Sequence, residues 1–248
     1  MRLPRVDQVN ELTRGLKLPT PPIAYIHLAV IFDGVKRAFD RLVADHKGAL
    51  AEKEENELNG LLQARLNTLC TEERLLSQMV ACVVRGGESI SFDGKRLELR
   101  PDLGIYLTSR HRNFPLVVEC KIIDGNAGKG VDLYCINGIR RFVEGEYAWG
   151  SSQSLMVAYV RDGSTVDQTL TPHLNANAKK NPDPFQTEAM PSEEGIPPVW
   201  VSRHGREFTF VGEAGGNPGP IRISHLWFKA PSVAAARSAW VVLARRVD

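Results

Sequence analysis

Residues 97–123 have the sequence LELRPDLGIYLTSRHRNFPLVVECKII, and this stretch decides the expected fold. It holds two runs of strand-forming residues, LELRPDLGIYL and FPLVVECKII, with a turn signal at 113–115 between them. A shorter run, ISF at 90–92, comes before them across a turn at Asp93-Gly94. Three such segments in succession predict an antiparallel meander.

The last strand of this meander is apolar on both sides. Residues 116–118 are apolar without alternation, as is typical of a central strand with both faces covered. The run SLMVAYV at 154–160 predicts another buried strand. Apolar residues at helical spacing predict helices at 23–47, 58–69 and 131–147. We therefore expect an α/β fold in which a mixed sheet has helices on both sides.

Composition divides the chain into four expected parts. Residues 1–48 predict an N-terminal helical segment, and residues 49–178 hold the helices and strands of an αβββαβ core. Residues 179–198 contain five prolines and no apolar periodicity, which predicts a long loop. Residues 199–248 predict a β-rich appendage that ends in a helix. Its strands and final helix are expected at 199–204, 207–212, 221–228 and 231–246.

The overall composition is that of an ordinary globular protein. The 248 residues are 43% hydrophobic and 24% charged, which argues against a collagen-like, disordered or membrane protein. The 31 basic and 29 acidic residues leave a net charge of +2, too small to bind nucleic acid through bulk electrostatics alone. A nucleic-acid site would therefore be a local patch.

The cysteines and the N-terminus indicate the compartment. Cys70, Cys82, Cys120 and Cys135 are scattered without a CxxC pair, which suits neither a disulfide framework nor a zinc site. The first residues lack the apolar run of a secretion signal, and no stretch of about 18 apolar residues exists to span a bilayer. We expect a cytoplasmic protein with no membrane partner.

The residues that carry chemistry are Asp102, Glu119 and Lys121. Adjacent antiparallel strands bring Asp102 and Glu119 side by side although they lie 17 positions apart. Glu119 and Lys121 point to the same face, because side chains two apart on a strand share a face. Paired carboxylates suit Mg²⁺, and the ammonium would orient an attacking water or offset charge that develops on a phosphate.

A Pro-Asp pair that ends at Asp102, followed after a hairpin-length gap by Glu119-Cys120-Lys121, resembles the motif of the PD-(D/E)xK nuclease superfamily with its restriction-endonuclease-like fold. The resemblance covers about residues 52–159. It implies cleavage of DNA or RNA phosphodiesters with Mg²⁺ or Mn²⁺. It also implies that Asp102, Glu119 and the carbonyl of Cys120 contact the metal. In the same pattern Lys121 is the catalytic lysine.

The superfamily often adds a glutamate from the preceding helix. Glu57, next to the apolar stripe in ENELNGLL, is the expected residue, and Glu54 and Glu55 are close alternatives. Glu98 shares a strand face with Asp102 but lies further from the lysine, which makes it a weaker candidate. Acidic residues in a first helical turn also complement the helix dipole, so the helix glutamates have a purely structural explanation as well.

An aspartate at a strand bend beside an exposed Glu–Lys ion pair is the structural alternative to a catalytic site, and such pairs contribute little stability. Apolar residues flank Glu119 and Lys121 along their strand, which is unusual for a solvated pair. Buried charges need partners or a metal. The flanking residues therefore favour the nuclease interpretation.

Several residues outside the motif are candidates for contacts with nucleic acid. Arg140 and Arg141 lie on the polar stripe of the following helix, where guanidinium groups would match phosphate oxygens; a solvated Arg140–Glu144 pair is equally compatible. Lys129 lies in the loop GNAGKG, which lacks the full phosphate-loop pattern. Tyr147 is expected to fill the core, with a hydrogen bond into the site as the alternative. His204, Arg206 and His225 are candidates for a second basic edge, and simple hydrogen-bonding histidines are the more common alternative.

The motif and its resemblance predict a metal-dependent nuclease that acts on DNA in preference to RNA, and a role in defence against foreign DNA fits the superfamily. One alternative is a catalytically inactive nucleic-acid-binding module with the same fold. Another is a structural or interaction protein of a defence or toxin–antitoxin pair. A homodimer is compatible with the leading prediction, because two related sites serve the two strands of a duplex.

Overall fold

The structure is a computed structural model that describes residues 5–231. Its framework is a seven-stranded mixed sheet with the strand order β1-β2-β3-β4-β7-β6-β5. The strands are β1 Val80–Arg85, β2 Leu103–Leu107, β3 Leu116–Ile123, β4 Gln153–Val160, β5 Thr187–Glu194, β6 Val199–His204 and β7 Ile221–Lys229. The predicted α/β class with a mixed sheet is confirmed.

Helical segments accompany the sheet along the described chain. They are α1 Val6–Thr13, α2 Tyr25–Glu52, α3 Glu55–Glu72, α4 Arg74–Met79, α5 Val131–Tyr134, α6 Arg140–Val143 and α7 Thr171–Asn177. A π-helical turn at Cys135–Ile139 joins α5 to α6, and these three pieces form a continuous helix that we call the α5–α6 rod. The helices predicted at 23–47 and 58–69 are confirmed as α2 and α3, and the one predicted at 131–147 ends at Val143.

The strand directions place the chain's C-terminal strands in the same sheet as its motif. β1, β2 and β3 form an antiparallel meander. The α5–α6 rod then returns the chain to β4, which is parallel to β3. β7 pairs in parallel with the other edge of β4, and β6 and β5 follow antiparallel. The predicted appendage is thus a continuation of the sheet, because β4 is buried and its free backbone groups need a hydrogen-bonding strand.

Apolar side chains cover both faces of the sheet, as predicted. On one face, Val118 and Cys120 of β3 pack in a core with α2 and α3. On the other face, Val117 packs with Tyr134 and Phe142 of the α5–α6 rod. Burial of each such aliphatic or aromatic side chain stabilises the fold by roughly 1.5–3 kcal/mol. Because side chains alternate along a strand, the odd-numbered positions of β3 face the rod.

The first strand of the meander is not the predicted ISF segment. β1 is VACVVR, whose β-branched residues pair with β2. Residues 89–99 instead fold back on themselves, with the Ser91 N–H donating to the Arg96 carbonyl at 3.0 Å and a single bridge between Ser89 and Leu99. Because residues 89–99 pair within this turn, β1 is the strand that pairs with the edge of β2. The LELR run at 97–100 lies before β2 rather than within it.

The C-terminal part also departs from prediction. The expected loop at 179–198 contains the edge strand β5, whose irregular pairing with β6 accommodates Pro191. Residues 207–211, predicted as a strand, have no regular structure; Phe208 and Phe210 pack against each other, and Phe210 also packs against Trp149. Apart from its first residue, the helix predicted at 231–246 lies outside the described residues.

All four cysteines are free, in agreement with the prediction of no disulfide framework. Between residues 5 and 231, no helix combines the length and the apolar character needed to cross a membrane.

Candidate active site

The strand register brings Asp102 and Glu119 together. β2 and β3 pair Leu103 with Val118, so the next opposed positions are Asp102 and Glu119. An Asp102 carboxylate oxygen accepts a hydrogen bond from the backbone N–H of Cys120 at 2.7 Å. The predicted juxtaposition of the two carboxylates is therefore present, and the Asp102 side chain is held against β3.

The Lys121 ammonium lies at the centre of this cluster. Its Nζ is 2.9 Å from Glu119 Oε1, 3.0 Å from Glu55 Oε1 and 3.5 Å from Asp102 Oδ2. It also donates a hydrogen bond to the Cys120 carbonyl at 2.7 Å. We call Glu55, Asp102, Glu119 and Lys121 the carboxylate–lysine cluster. Three acidic side chains and one amine from α3, β3 and the entry to β2 thus converge on one point.

Burial distinguishes this cluster from an exposed ion pair. Glu119 is only 2% exposed, and its Oε2 atom is buried without a hydrogen-bond partner. Burial and the neighbouring Asp102 raise the pKa of Glu119 to about 7, although Lys121 and Arg141 oppose the rise. Burial alone would lower the pKa of Lys121, but Glu119, Asp102 and Glu55 raise it above its usual value. The ammonium is therefore charged at neutral pH, and Glu119 is poised to gain or lose a proton.

The oxygen atoms of the cluster are of the chemical type that binds a hard divalent cation, but their present arrangement is not that of a metal site. Carboxylates of Asp102 and Glu119 and the carbonyl of Cys120 are the donors that Mg²⁺ prefers, and the unpartnered Glu119 oxygen has a vacant bonding position. In the part of the chain that the structure describes, however, no group of three or more His, Cys, Asp and Glu side chains has metal-holding geometry. The Lys121 ammonium contacts Glu119 Oε1 and the Cys120 carbonyl oxygen, so a metal ion that used these two oxygens would have to displace it.

Cys120 contributes to the cluster only through its backbone. Its side chain is fully buried in the core on the face occupied by α2 and α3. Burial also raises the pKa of its thiol well above the usual value. The carbonyl, which accepts from Lys121, is therefore the only group of Cys120 available to a metal, as the motif resemblance implies.

The helix glutamate at the cluster is Glu55 rather than the predicted Glu57. One Glu55 oxygen accepts from Lys121 and the other from the Ile122 N–H at 3.1 Å. Glu57 is exposed and caps α3 instead, accepting from the Glu54 N–H at 3.1 Å and pairing with Lys53 at 3.0 Å. Two residues along a helix correspond to a rotation of about 200°, so Glu55 and Glu57 point in nearly opposite directions.

Of the predicted basic residues, Arg141 alone approaches the cluster. Its Nη1 lies 3.6 Å from Glu119 Oε1 and donates to the Tyr147 hydroxyl at 2.6 Å. Arg140 pairs with Glu144 at 3.7 Å, in agreement with the solvated alternative. Lys129 pairs with Glu54 at 2.8 Å at the start of α3.

A glycine allows the rod to carry Arg141 over Glu119. A Cβ built at Gly138 would lie 2.3 Å from Cε of Met156 on β4, far inside van der Waals contact. Tyr147 is buried in the core and also uses its hydroxyl in the site, donating to the Arg100 carbonyl at 3.1 Å. Both alternatives considered for Tyr147 therefore hold at once.

His204, Arg206 and His225 do not form a basic edge, and both histidines are hydrogen-bonded as in the alternative interpretation. His204, Arg206 and His225 are all buried, at 0%, 5% and 2% exposure. The two histidines share the hydroxyl of Ser202 at 2.7 and 2.8 Å, and Tyr134 contacts the other ring nitrogen of His225 at 2.8 Å. His225 is buried because the parallel pairing of β7 with β4 makes β7 an interior strand. His204 lies on β6, which is itself between β7 and β5, and Arg206 donates to the Gly219 and Pro218 carbonyls.

Comparison of this chain with protein-family models, curated proteins and solved structures finds no match.

Proposed function

We propose that this protein is a metal-dependent nuclease that hydrolyses phosphodiester bonds of nucleic acid, DNA in preference to RNA, with Mg²⁺ or Mn²⁺. The observation that carries the proposal is the convergence of Asp102, Glu119 and Glu55 on Lys121. Three carboxylates around one buried lysine carry more negative charge than the lysine alone neutralises, and a bound cation would compensate it. A site for a cation and a phosphate accounts for all of them.

The element order supports the same proposal. The helix α3, the short helix α4, the antiparallel meander of β1 to β3, the α5–α6 rod and the parallel strand β4 follow one another along the chain. This order agrees with the αβββαβ core of the restriction-endonuclease-like fold that the motif resembles. Asp102 immediately precedes β2 and Lys121 lies within β3, and these positions are compatible with the motif.

The cluster's residues have distinct roles in this proposal. Asp102, Glu119 and the Cys120 carbonyl would hold the metal ion. When bound, the ion would stabilise negative charge on the phosphate and lower the pKa of an attacking water. Lys121, released from Glu119, would orient that water and donate to the developing charge. Arg141 would donate to a phosphate oxygen.

A matched pair of glutamates tests the site. Glu55→Gln is expected to slow cleavage strongly, because Glu55 contacts Lys121 and β3. Glu57→Gln removes the same charge from the same helix and is expected to cut at the wild-type rate, since Glu57 only caps the helix. Single-turnover cleavage of labelled single- and double-stranded DNA and RNA with Mg²⁺ is the measurement. Equal rates for the two variants would remove Glu55 from the mechanism.

Lys121→Ala separates a nuclease from an inactive binding module. A nuclease is expected to keep binding nucleic acid but lose turnover, because the amine acts mainly in the transition state. Lys121→Arg is expected to rescue poorly, since a planar guanidinium lacks the compact geometry of an ammonium. Wild-type protein that binds nucleic acid but never cuts it with Mg²⁺ or Mn²⁺ would favour the binding module. Failure to bind any nucleic acid at low salt would favour an interaction protein.

A further inference from the structure

A cavity of about 620 Å³ lies beside the carboxylate–lysine cluster. Gly104 and Val117 face each other across β2 and β3 and line it. They stand two residues along their strands from Asp102 and Glu119. Side chains two apart on a strand share a face, so the cavity and the two carboxylates are neighbours on the same face of the sheet. Its volume is within the range of about 300–1,000 Å³ common for small-ligand pockets.

Tyr147 forms a wall between the cavity and the cluster. It lines the cavity, while its hydroxyl accepts a hydrogen bond from Arg141 at 2.6 Å. Arg141 is in turn 3.6 Å from Glu119. A nucleotide whose phosphate contacts Arg141 would therefore lie next to Tyr147, which separates the cluster from the cavity.

The lining of the cavity suits a planar ring rather than a phosphate. Four aromatic side chains line it, from Tyr106, Phe114, Tyr147 and Trp149. Phe114, Tyr147 and Trp149 are buried, so Tyr106 presents the accessible ring, and aromatic faces stack on nucleobases of any sequence. The charged lining residues are three glutamates and one arginine, namely Glu11, Glu88, Glu98 and Arg112. Glu88 and Glu11 form ion pairs with Arg100 and Arg14, and carboxylate oxygens accept hydrogen bonds from the amino groups of bases.

A glycine leaves room at the cavity wall. A Cβ built at Gly104 would lie 3.2 Å from the Tyr106 ring and 3.4 Å from Pro115. Any larger side chain at position 104 would therefore take up cavity space next to the aromatic ring. Tyr106 itself is half-buried, so that its ring is accessible to a ligand.

We propose that this cavity receives one unpaired base of the nucleic acid whose backbone is bound at the carboxylate–lysine cluster. The inference rests on the proposed nuclease function and specifies its substrate as single-stranded, or locally opened, at the point of cleavage. A base inside a duplex is stacked and paired on both sides, so it enters such a pocket only when it is extruded.

Two strands of equal length and charge test the proposal: a single-stranded oligodeoxynucleotide and one in which every nucleotide is abasic. Their affinities are measured by fluorescence anisotropy in chelating buffer. Wild-type protein is expected to bind the strand with bases at least about fivefold more tightly, from the usual contribution of one stacked base. Tyr106→Ala is expected to abolish this preference and Tyr106→Phe to retain it. Tyr106→Leu keeps the packing without an aromatic face, and it is expected to behave like the alanine variant.

Tyr25→Ala is the matched control, because Tyr25 is a half-buried tyrosine whose hydroxyl contacts the Pro197 carbonyl away from this cavity. It is expected to retain the wild-type preference for bases. Equal affinity of the wild-type protein for both strands, or an unchanged preference in Tyr106→Leu, would overturn the cavity proposal.

A parallel cleavage assay with Mg²⁺ separates this proposal from the proposed function. Cleavage without a base preference would overturn the cavity proposal and leave the nuclease intact. A base preference that depends on Tyr106, without cleavage, would support the cavity and contradict the nuclease. Neither binding nor cleavage would overturn both.

Discussion

Glu119→Gln is expected to change how the stability of the metal-free protein depends on pH. Burial raises the pKa of Glu119 from 4.5 to about 7. Between these values the folded protein holds a proton that the unfolded chain has released. Stability from this group is therefore fully present below pH 4.5 and is lost as the pH rises through 7. Glutamine is nearly isosteric and does not titrate, so the substitution removes this dependence.

The magnitude follows from the shift in pKa. One pKa unit corresponds to about 1.4 kcal/mol, so the full shift of Glu119 changes the free energy of unfolding by about 3 kcal/mol. Between pH 5 and pH 7.5, the free energy of unfolding of the wild-type protein is expected to fall by about 2 kcal/mol relative to Glu119→Gln. Titrating groups that do not interact with Glu119 are common to both proteins and cancel in the difference.

Urea unfolding at a series of pH values, with a chelator present, measures this difference. Glu57→Gln is the matched control: a hydrogen bond from Lys53 lowers the pKa of the exposed Glu57, which is therefore ionised in both states over this range. Its curve is expected to run parallel to that of the wild type. A constant difference between wild type and Glu119→Gln from pH 5 to pH 7.5 would refute the argument that burial holds a proton on Glu119.

Three further predictions concern the surroundings of the cluster. Arg141→Ala is expected to weaken binding of single-stranded DNA at least about tenfold in an anisotropy titration, because hydrogen bonds to charged groups are strong. Arg140→Ala is the control and is expected to have little effect on the affinity. Equal losses of affinity in the two variants would contradict the assignment of Arg141 to the site. Gly138→Ala is expected to lower the free energy of unfolding in urea by about 1–3 kcal/mol, because the new Cβ would overlap Met156. An unchanged free energy of unfolding would show that the Met156 side chain moves aside. Burial lowers the pKa of His225 to about 3. The stability that neutral His225 contributes to the fold is therefore fully present above pH 6.5 and is lost as the pH falls toward 3. Between pH 6 and pH 4, His225→Gln is therefore expected to reduce the slope of the unfolding free energy against pH by about 1.4 kcal/mol per pH unit. A slope equal to that of the wild type would show that folding does not shift the pKa of His225.

The sequence by itself determined the local geometry of the motif. Alternation along β3 puts Glu119 and Lys121 on one face, and antiparallel pairing with β2 brings Asp102 opposite Glu119. The first relation follows from the two-residue period of a strand, and the second follows from the hairpin between β2 and β3. Both relate residues that are close in the sequence. The helices α2 and α3 and the buried strand β4 were predictable for the same reason, because each carries its own hydrophobic period.

The tertiary structure decided what depends on contacts between distant segments. The pairing of β7 with β4 joins the C-terminal strands to the sheet and buries His225, although isolated strand patterns do not specify their partners. The choice of Glu55 over Glu57 depends on how α3 is rotated about its axis against β3. The cavity walled by Tyr147 arises only where several elements meet. Periodicity fixes which face a residue occupies within its own element, but the rotation, spacing and pairing of elements are set by packing across the whole chain.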